Sequence, residues 1–387
     1  MFKITLGVNE LAHKLAIAGK CVESKPIIPI MANVLISGDE ANGYKLTSAN
    51  QEMRLEVPIE LKLVEGEFAP FTIEYEKINN AVSTLTKGTD IVFEVEGNRI
   101  RVIHDMGKFE VPSLPAIDYP ANLPPTNEEG YYSFKCNGAS LIKNLNLAKL
   151  CVSEDRTRPQ LCGVCLDVME NAFNIVSTSG FSFFLKKSEE METPDGNPIN
   201  KKLLIPTSIL NPIVGIYSNS EEITIESDMR RIYFIDENGM KFCARMIDGE
   251  YPNYNVLIPQ YEMTDIVLDK KVLETMLRRA SIFADSKVNM VVITKEGSNL
   301  TLCGEDTLFS TSINERLAIE NENSLAEGFR IGCNLIHLNN VLSAIETDKV
   351  IFRFSEPTKA FLVSEQSGDD DKILLLMPMI INSQVSN

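Results

Sequence analysis

The residues with the most chemical potential are few: eight cysteines and three histidines in 387 residues. Cys162-Gly-Val-Cys165 has the spacing of half a zinc site. No second cysteine pair follows it, and His13, His104 and His337 lie far away in sequence. On a strand, residues three apart point to opposite faces, which separates the two thiols. Both are read as buried core cysteines, and Cys21, Cys136, Cys151, Cys243, Cys303 and Cys333 read the same way. Cysteine this dilute does not make a disulfide scaffold. No Walker loop, GxGxxG, GxSxG or HExxH motif occurs. His13 and His337 fall inside helical segments, where packing or surface roles outweigh general-base work. No carboxylates stand in a spacing that marks an acid–base pair. The expectation is therefore a protein with no catalytic residue, no metal site and no cofactor.

The other chemistry open to this chain is electrostatic. A net charge of −17 argues by itself against nucleic acid, but the charge is unevenly distributed. The helical segments 9–20, 72–87, 139–150, 207–217, 269–280 and 333–345 hold ten basic residues and five acidic ones, so they carry +5 and leave −22 for the remainder. Acids at helix N-termini and bases toward C-termini explain about half of this pattern. They do not explain segment 139–150, which has Lys143 and Lys149 and no acid.

These helices belong to a plan that occurs three times. Tyr119-Pro120, in the phrase Leu114–Pro120, and Tyr251-Pro252, in Met246–Tyr254, are 132 residues apart. A third copy falls near residue 383, just after Leu375-Leu-Met-Pro-Met-Ile-Ile381. Proline cannot donate to a sheet ladder and pushes the preceding residue into extended conformation, so each phrase reads as a domain end. Helix starts at Asn9, Asn137 and Asp269 are spaced 128 and 132 residues apart, and each helix precedes a strand-like run: Ile30–Ile36, Leu161–Leu166 and Val288–Ile293. A second helix follows near Thr72, Thr207 and Cys333, with Pro212 expected to shorten or kink the middle one. Further strands are expected at 44–47, 53–57, 90–95 and 99–103, the last two joined by the Glu96-Gly-Asn98 turn. The fold class is α+β, with three tandem domains at 1–125, 126–255 and 256–387 and a polar tail at 382–387. The linker 122–130, a polar insertion at 186–202 and an acidic loop at 368–372 read as exposed connections. No run approaches the ~18 apolar residues of a membrane span, and the start lacks signal-peptide features, so a cytoplasmic location is expected.

Arg158-Pro-Gln-Leu-Cys-Gly-Val-Cys-Leu-Asp167, Asp248-Gly-Glu-Tyr-Pro-Asn-Tyr254 and Met377-Pro-Met379, in this order on a threefold repeat, resemble the bacterial sliding clamp. That family is the beta subunit of the replicative DNA polymerase, its processivity factor. The resemblance implies a head-to-tail homodimer closing a ring, with helices lining the hole and sheets outside, that follows double-stranded DNA without reading its sequence. It implies DNA-facing positions at Lys14, Lys25, Lys77, Lys143, Lys149, Arg156, Arg158, Lys270, Arg278 and Arg279, not all of them expected to point inward. Subunit contacts are implied between Phe109 of one copy and Ile282 with Phe283 of the other.

The resemblance also implies a pocket between the second and third domains that takes short apolar peptides of polymerase and clamp-loader subunits. Its matching positions are Leu161, Thr178, Gly180, Phe183, Pro252, Leu257, Leu375, Met377, Pro378 and Met379. Phe181 stands where the family commonly has histidine, and Val256 and Ile380 stand where it commonly has arginine. A more apolar pocket is therefore expected, one that relies on aromatic and aliphatic anchors. The competing readings are a monomeric three-domain binding protein for a ligand other than DNA, and an enzyme with an unrecognised site.

Overall fold

The structure, a computed structural model, describes residues 1–23, 25–120, 131–193, 199–228, 230–306, 309–366 and 371–381. The linker 122–130, residues 194–198 of the polar insertion, 368–370 of the acidic loop and the tail 382–387 lie outside the described residues. Six α-helices occur among the described residues: α1 (Val8–Ala18), α2 (Tyr75–Ser83), α3 (Gly138–Ala148), α4 (Thr207–Ile216), α5 (Lys270–Phe283) and α6 (Leu335–Ser343). Each of the six expected helical segments overlaps one of them.

Local chemistry explains most helix starts and corrects several expectations. Asn137 caps α3 by accepting the amide of Ser140 at 2.8 Å, and Asp269 caps α5 by accepting that of Val272 at 3.0 Å. Asn9 does not begin its helix. Gly7 stands at the cap of α1, and the Asn9 side chain accepts the amide of Gly88 instead. Thr72 is also not a helix start, because Phe71–Glu74 is a strand with Phe71, Thr72 and Ile73 all buried, and α2 begins only at Tyr75. Cys333 likewise lies within a strand, Arg330–Asn334, whose last residue, Asn334, caps α6. The run expected as a strand at 30–36 opens with a 3₁₀ turn, Pro29–Ala32, before the strand Asn33–Asp39. Pro212 does not shorten α4: its ten residues match the nine of α2 and of α6.

The chain divides into two compact units. The first comprises Met1–Ile142, Met191–Ile199 and Ser208–Met246. It holds a five-stranded antiparallel sheet ordered Leu63–Glu65, Phe2–Gly7, Asp90–Glu96, Arg99–His104, Gly107–Pro112. A second antiparallel run places Lys241–Arg245 beside Met53–Ile59. Alternation builds its core: Phe2, Ile4 and Leu6 point inward from the first strand and meet Val8, Leu11, Leu15 and Ala18 of α1 with Ile78 and Val82 of α2.

The second unit comprises Lys143–Glu190, Asn200–Thr207 and Ile247–Asn387. One of its sheets runs Thr264–Asp269, Lys349–Phe354, Phe361–Glu365, Lys372–Leu376 and then the strand beginning at Ser182. Its four-stranded sheet is ordered Thr311–Ala318, Asn299–Asp306, Met290–Glu296, Arg330–Asn334. The strand 372–376 therefore carries the end of the chain between 361–365 and 182–186. Pairing of this kind, across nearly two hundred residues of sequence, positions the site described next.

Candidate functional site

The repeated Tyr-Pro phrases turn out to be anchors. Tyr119 is buried among Ile30, Leu35 and Ala49, and its hydroxyl donates toward the carbonyls of Asn33 and Thr47 at 3.2 and 3.3 Å. Tyr251 is buried in a second cluster with Leu161, Cys165, Val176, Phe183, Leu185, Leu204, Tyr254 and Leu375. Both tyrosines fold a closing phrase back onto the first strand segments of its own repeat. Tyr254 donates to Asp167 at 2.7 Å and accepts from Asn174 at 2.9 Å, and its ring lies 6.4 Å from that of Phe183. Burial pushes the Tyr251 and Tyr254 hydroxyls well above the usual tyrosine range, so both stay protonated.

Around this cluster stands an apolar rim. The turn 178–182 is built by its own hydroxyls: Thr178 Oγ1 accepts the amide of Gly180 at 3.0 Å, and Ser179 Oγ accepts the amides of Phe181 and Ser182 at 3.2 and 3.0 Å. Gly180 has φ +87°, which only glycine adopts without strain. The turn lifts Phe181 to 60% exposure, where it stacks on His337 with ring centroids 5.8 Å apart. Pro252 and, on the 3₁₀ turn Tyr254–Leu257, Val256 and Leu257 are also exposed. Met377, whose amide donates to the Phe181 carbonyl at 2.8 Å, is 40% exposed, and Ile380 is 88% exposed. Pro378 and Met379 are half-buried. The Met379 amide donates to the Gly332 carbonyl at 2.8 Å, an approach so close that a Cβ at Gly332 would meet the Met379 oxygen.

The expected pocket residues thus sort by depth. Leu161, Thr178, Phe183 and Leu375 are buried, while Gly180, Phe181, Pro252, Val256, Leu257, Met377 and Ile380 are open to solvent. Two participants escape a reading of sequence alone: His337, from a helix some 150 residues away from its ring partner, and Gly332. Burial holds the His337 imidazole below its ordinary pKa. Nothing in the local sequence around His337 signals that pairing.

The expected basic residues occupy exposed or half-exposed positions, many already matched by carboxylates. Lys77 pairs with Glu74 at 2.6 Å, Lys143 with Glu346 at 2.8 Å, Arg158 with Asp155 at 3.2 Å and Lys270 with Glu274 at 3.3 Å. Arg279 forms a two-pronged pair with Glu315 at 2.5 and 2.6 Å, which holds the Glu315 carboxyl below the usual range. Arg278 lines a cavity between α5 and α6 with Glu274, Ser281, Asn339 and Ser343. Lys14 lies on α1, Lys149 on the 3₁₀ turn after α3, and Lys25 and Arg156 on exposed loops.

Phe109 lies on Gly107–Pro112, the outermost strand of the five-stranded sheet, half-buried with its ring 5.9 Å from His104. Ile282 and Phe283 end α5 at 72% and 37% exposure, beside the outermost strand Thr311–Ala318, whose Thr311 donates to the Phe283 carbonyl at 3.2 Å.

The cysteines are less uniform than expected. Cys21, Cys136, Cys151, Cys165 and Cys333 are buried, but Cys162, Cys243 and Cys303 are only half-buried. Burial pushes the thiols of Cys21, Cys151 and Cys333 up to about 12, far from the thiolate that chemistry needs. Cys162 ends the 3₁₀ turn Pro159–Leu161 and turns its thiol to the Asp155 carbonyl at 3.3 Å, whereas Cys165 joins the core cluster.

Comparison with known proteins completes the description. Family models of the DNA polymerase III beta subunit match the chain in order: the N-terminal domain over residues 2–124, the central domain over 135–253 and the C-terminal domain over 255–380. The beta sliding clamp of Rickettsia felis is 25% identical, covering 98% of this chain and all of its own length, and that of Treponema pallidum is 26% identical over 97% of this chain and 99% of its own. The crystal structure of a sliding clamp from Pseudomonas aeruginosa bound to griselimycin superposes with a TM-score of 0.88 at 21% identity, covering 98% of this chain and all of that one. This chain belongs to the DNA polymerase III beta subunit family, the bacterial sliding clamps, and is a non-catalytic processivity factor of DNA replication with three similar α+β domains in tandem.

Proposed function

We propose that two copies of this chain join head to tail around duplex DNA, in the cytoplasm, and that the apolar rim captures short peptides of the polymerase and of the clamp loader. Each copy contributes domains at 1–125, 126–255 and 256–387. The observation that carries the reading is a pair of outermost strands. Gly107–Pro112 and Thr311–Ala318 each end a sheet and carry apolar neighbours, Phe109 on one and Ile282 with Phe283 beside the other. An outermost strand with apolar flanks is a template for pairing, and joining unlike edges of two copies gives a head-to-tail contact that closes if the rotation allows.

The DNA-facing set is Lys14, Lys25, Lys77, Lys143, Lys149, Arg156, Arg158, Lys270, Arg278 and Arg279. Exposed side chains on helices and loops suit contacts with phosphates, which fix position without reading sequence. Net charge on the whole chain is −17, so affinity for free DNA ends is low and retention is topological.

The peptide pocket is formed by the rim of Phe181, Pro252, Val256, Leu257, Met377 and Ile380 over the cluster of Leu161, Phe183 and Leu375, with Thr178 and Gly180 shaping the turn and Pro378 and Met379 the return. Leucine or phenylalanine anchors suit it, each worth roughly 1.5–3 kcal/mol when fully buried. The test is sizing in solution together with retention on a DNA circle. A dimer that stays on the closed circle and leaves when the circle is cut is the expected result. Release no faster after cutting overturns the reading.

A further inference from the structure

Because the domains repeat, the apolar groove has a counterpart, and the first compact unit holds it. The strand Lys241–Arg245 pairs with Met53–Ile59 in the register by which Lys372–Leu376 pairs with the strand beginning at Ser182. Ala244 stands opposite Met53 as Leu376 stands opposite Ser182. The turns before the two strands close alike. The Asn50 amide donates to the Met53 carbonyl at 2.9 Å, as the Ser179 amide donates to that of Ser182 at 3.1 Å. Asn50 Oδ1 accepts the amides of Glu52 and Met53, both at 2.9 Å, as Ser179 Oγ accepts those of Phe181 and Ser182. The Arg245 amide donates to the Glu52 carbonyl at 3.2 Å, as the Met377 amide donates to that of Phe181 at 2.8 Å. Pro120 follows Tyr119 as Pro252 follows Tyr251. A cavity of about 350 Å³ opens at this counterpart, with Asn50, Glu52, Arg54, Pro120, Arg230 and Arg245 in its lining.

The backbone frame is shared and the side chains on it are not. By register Glu52 takes the place of Phe181, Arg54 that of Phe183, Cys243 that of Leu375 and Arg245 that of Met377. Arg54 belongs to the frame: it donates to the Pro120 carbonyl at 2.6 Å, pairs with Glu56 at 3.1 Å and lies 6.0 Å over the Tyr119 ring. Arg231, opposite Arg245, is held by the Tyr233 hydroxyl and by the charge of Asp228. Arg230 and Arg245 are exposed beside the exposed Glu52. A guanidinium engaged by one acceptor keeps further N–H donors for a second, so such a site does not need unpaired arginines. From this equivalence we infer that the cavity is a second peptide-docking site, taking an extended segment of a protein partner that carries carboxylate side chains where the groove takes leucine and phenylalanine. The inference rests on the reading of the groove as a peptide site, since the shared frame is what identifies the ligand as a peptide. Planar guanidinium groups at Arg230 and Arg245 match carboxylates with two N–H donors at once. The volume is at the low end of the range for small-molecule sites, about 300–1,000 Å³, and admits a short segment rather than a folded domain. No aromatic side chain lines the cavity, so a nucleic-acid base finds no stacking platform there.

The experiment is fluorescence anisotropy on the full chain with labelled peptides: a short one alternating glutamate with threonine, its glutamine counterpart, and a leucine–phenylalanine peptide for the groove. Saturable binding of the glutamate peptide, about tenfold or more tighter than the glutamine one and weakened by salt, is the expected result. Arg230→Gln/Arg245→Gln should weaken the glutamate peptide by about tenfold or more and leave the leucine–phenylalanine peptide unchanged, whereas Met377→Ala should do the reverse. Glu52→Gln should tighten the glutamate peptide about threefold by removing a like charge at the mouth. A purely structural role gives no such gain, and the Glu52 variant carries the test should the double variant not fold. No saturable binding of the glutamate peptide, or binding indifferent to these variants, overturns the inference. Loss of the glutamate peptide in Met377→Ala also overturns it, because both peptides would then share one site. So does displacement by a short DNA duplex at matched ionic strength, which would assign the arginines to DNA. Failure of the leucine–phenylalanine peptide at the groove overturns the reading beneath the inference, and the inference with it.

Discussion

The apolar rim with its buried support and the exposed basic residues are built in opposite ways. At the groove, Phe183, Leu375 and Leu161 are deeply packed and hold up exposed neighbours such as Met377 and Phe181, so each position depends on many others. Lys77, Lys143 and Arg279 on the helices and Arg158 on the loop before the Pro159–Leu161 turn are exposed and pair with carboxylates, so each acts nearly alone. Packing is cooperative because interiors are close-packed, whereas exposed ion pairs are weak and screened. The difference teaches that damage at the groove should be large and local, while damage to the basic set should be small and additive.

The largest break in that contrast comes from the packed layer. Phe183→Ala removes a ring that is 1% exposed, and such deletions cost about 3–5 kcal/mol. Chemical denaturation should show the loss, and a cost under about 1 kcal/mol would mean the cluster can collapse freely. Met377→Ala tests the rim above it. Thermal stability should stay near the parent while binding of a peptide with leucine and phenylalanine anchors falls at least tenfold; truncation after Leu376 should do the same, and unchanged binding in both would remove the groove from the proposal.

Ile282→Asp probes a surface intermediate between the two kinds. Ile282 is apolar but 72% exposed, so the variant should fold with the parent's circular dichroism and elute as a monomer. An unfolded product would place Ile282 with the core instead. Smaller still is the effect expected of single basic residues. Lys143→Ala or Arg279→Ala should each lower the salt slope of DNA interaction by about one unit or less, equally for all sequences, because each already has a carboxylate partner. If Lys149, Arg158 and Arg279 changed together leave the slope untouched, these faces do not meet DNA.

The smallest effect is one of pH. His337 is held neutral by burial, with its folded pKa below the ordinary value of about 6.5. The unfolded chain therefore takes up the proton first as pH falls, and stability declines from about pH 6.5 down to the folded pKa, with full stability above that window. His337→Gln should flatten this part of the stability curve. An identical slope in the variant would assign the pH dependence to carboxylates such as Asp269 and Glu315, whose folded values are depressed and which act in more acid solution.

Much of the molecule is legible in its sequence. Alternation at Phe2–Gly7, helical spacing in α1, the caps Asn137 and Asp269, and the repeated Tyr-Pro phrases all follow from short-range chemistry that the chain states openly. Short-range rules failed where a neighbour distant in sequence outweighed them. Thr72 reads as a helix start, yet its hydroxyl is taken by Asn33, which donates to it at 3.0 Å, and by the Leu114 carbonyl, which accepts from it at 2.8 Å, so the segment stays a strand. Asn9 reads as a cap, yet its side chain serves Gly88. The half-buried Cys162, Cys243 and Cys303 read as core because composition carries no information on which face a strand or turn presents.

By itself the sequence determined the threefold period, the α+β class and the basic bias of the helices, because periodicity, capping and turn chemistry act over a few positions and repeat at a readable interval, whereas the rim positions were implied only by the family resemblance. Only the tertiary structure decided how those residues sort into buried support and exposed rim, that Phe181 rests on His337, that Met379 docks on Gly332, and that Arg231 faces Arg245 beside Arg54. Each of these depends on strand order and register between segments far apart in the chain, and a register shift of one residue would turn every side chain concerned to the other face.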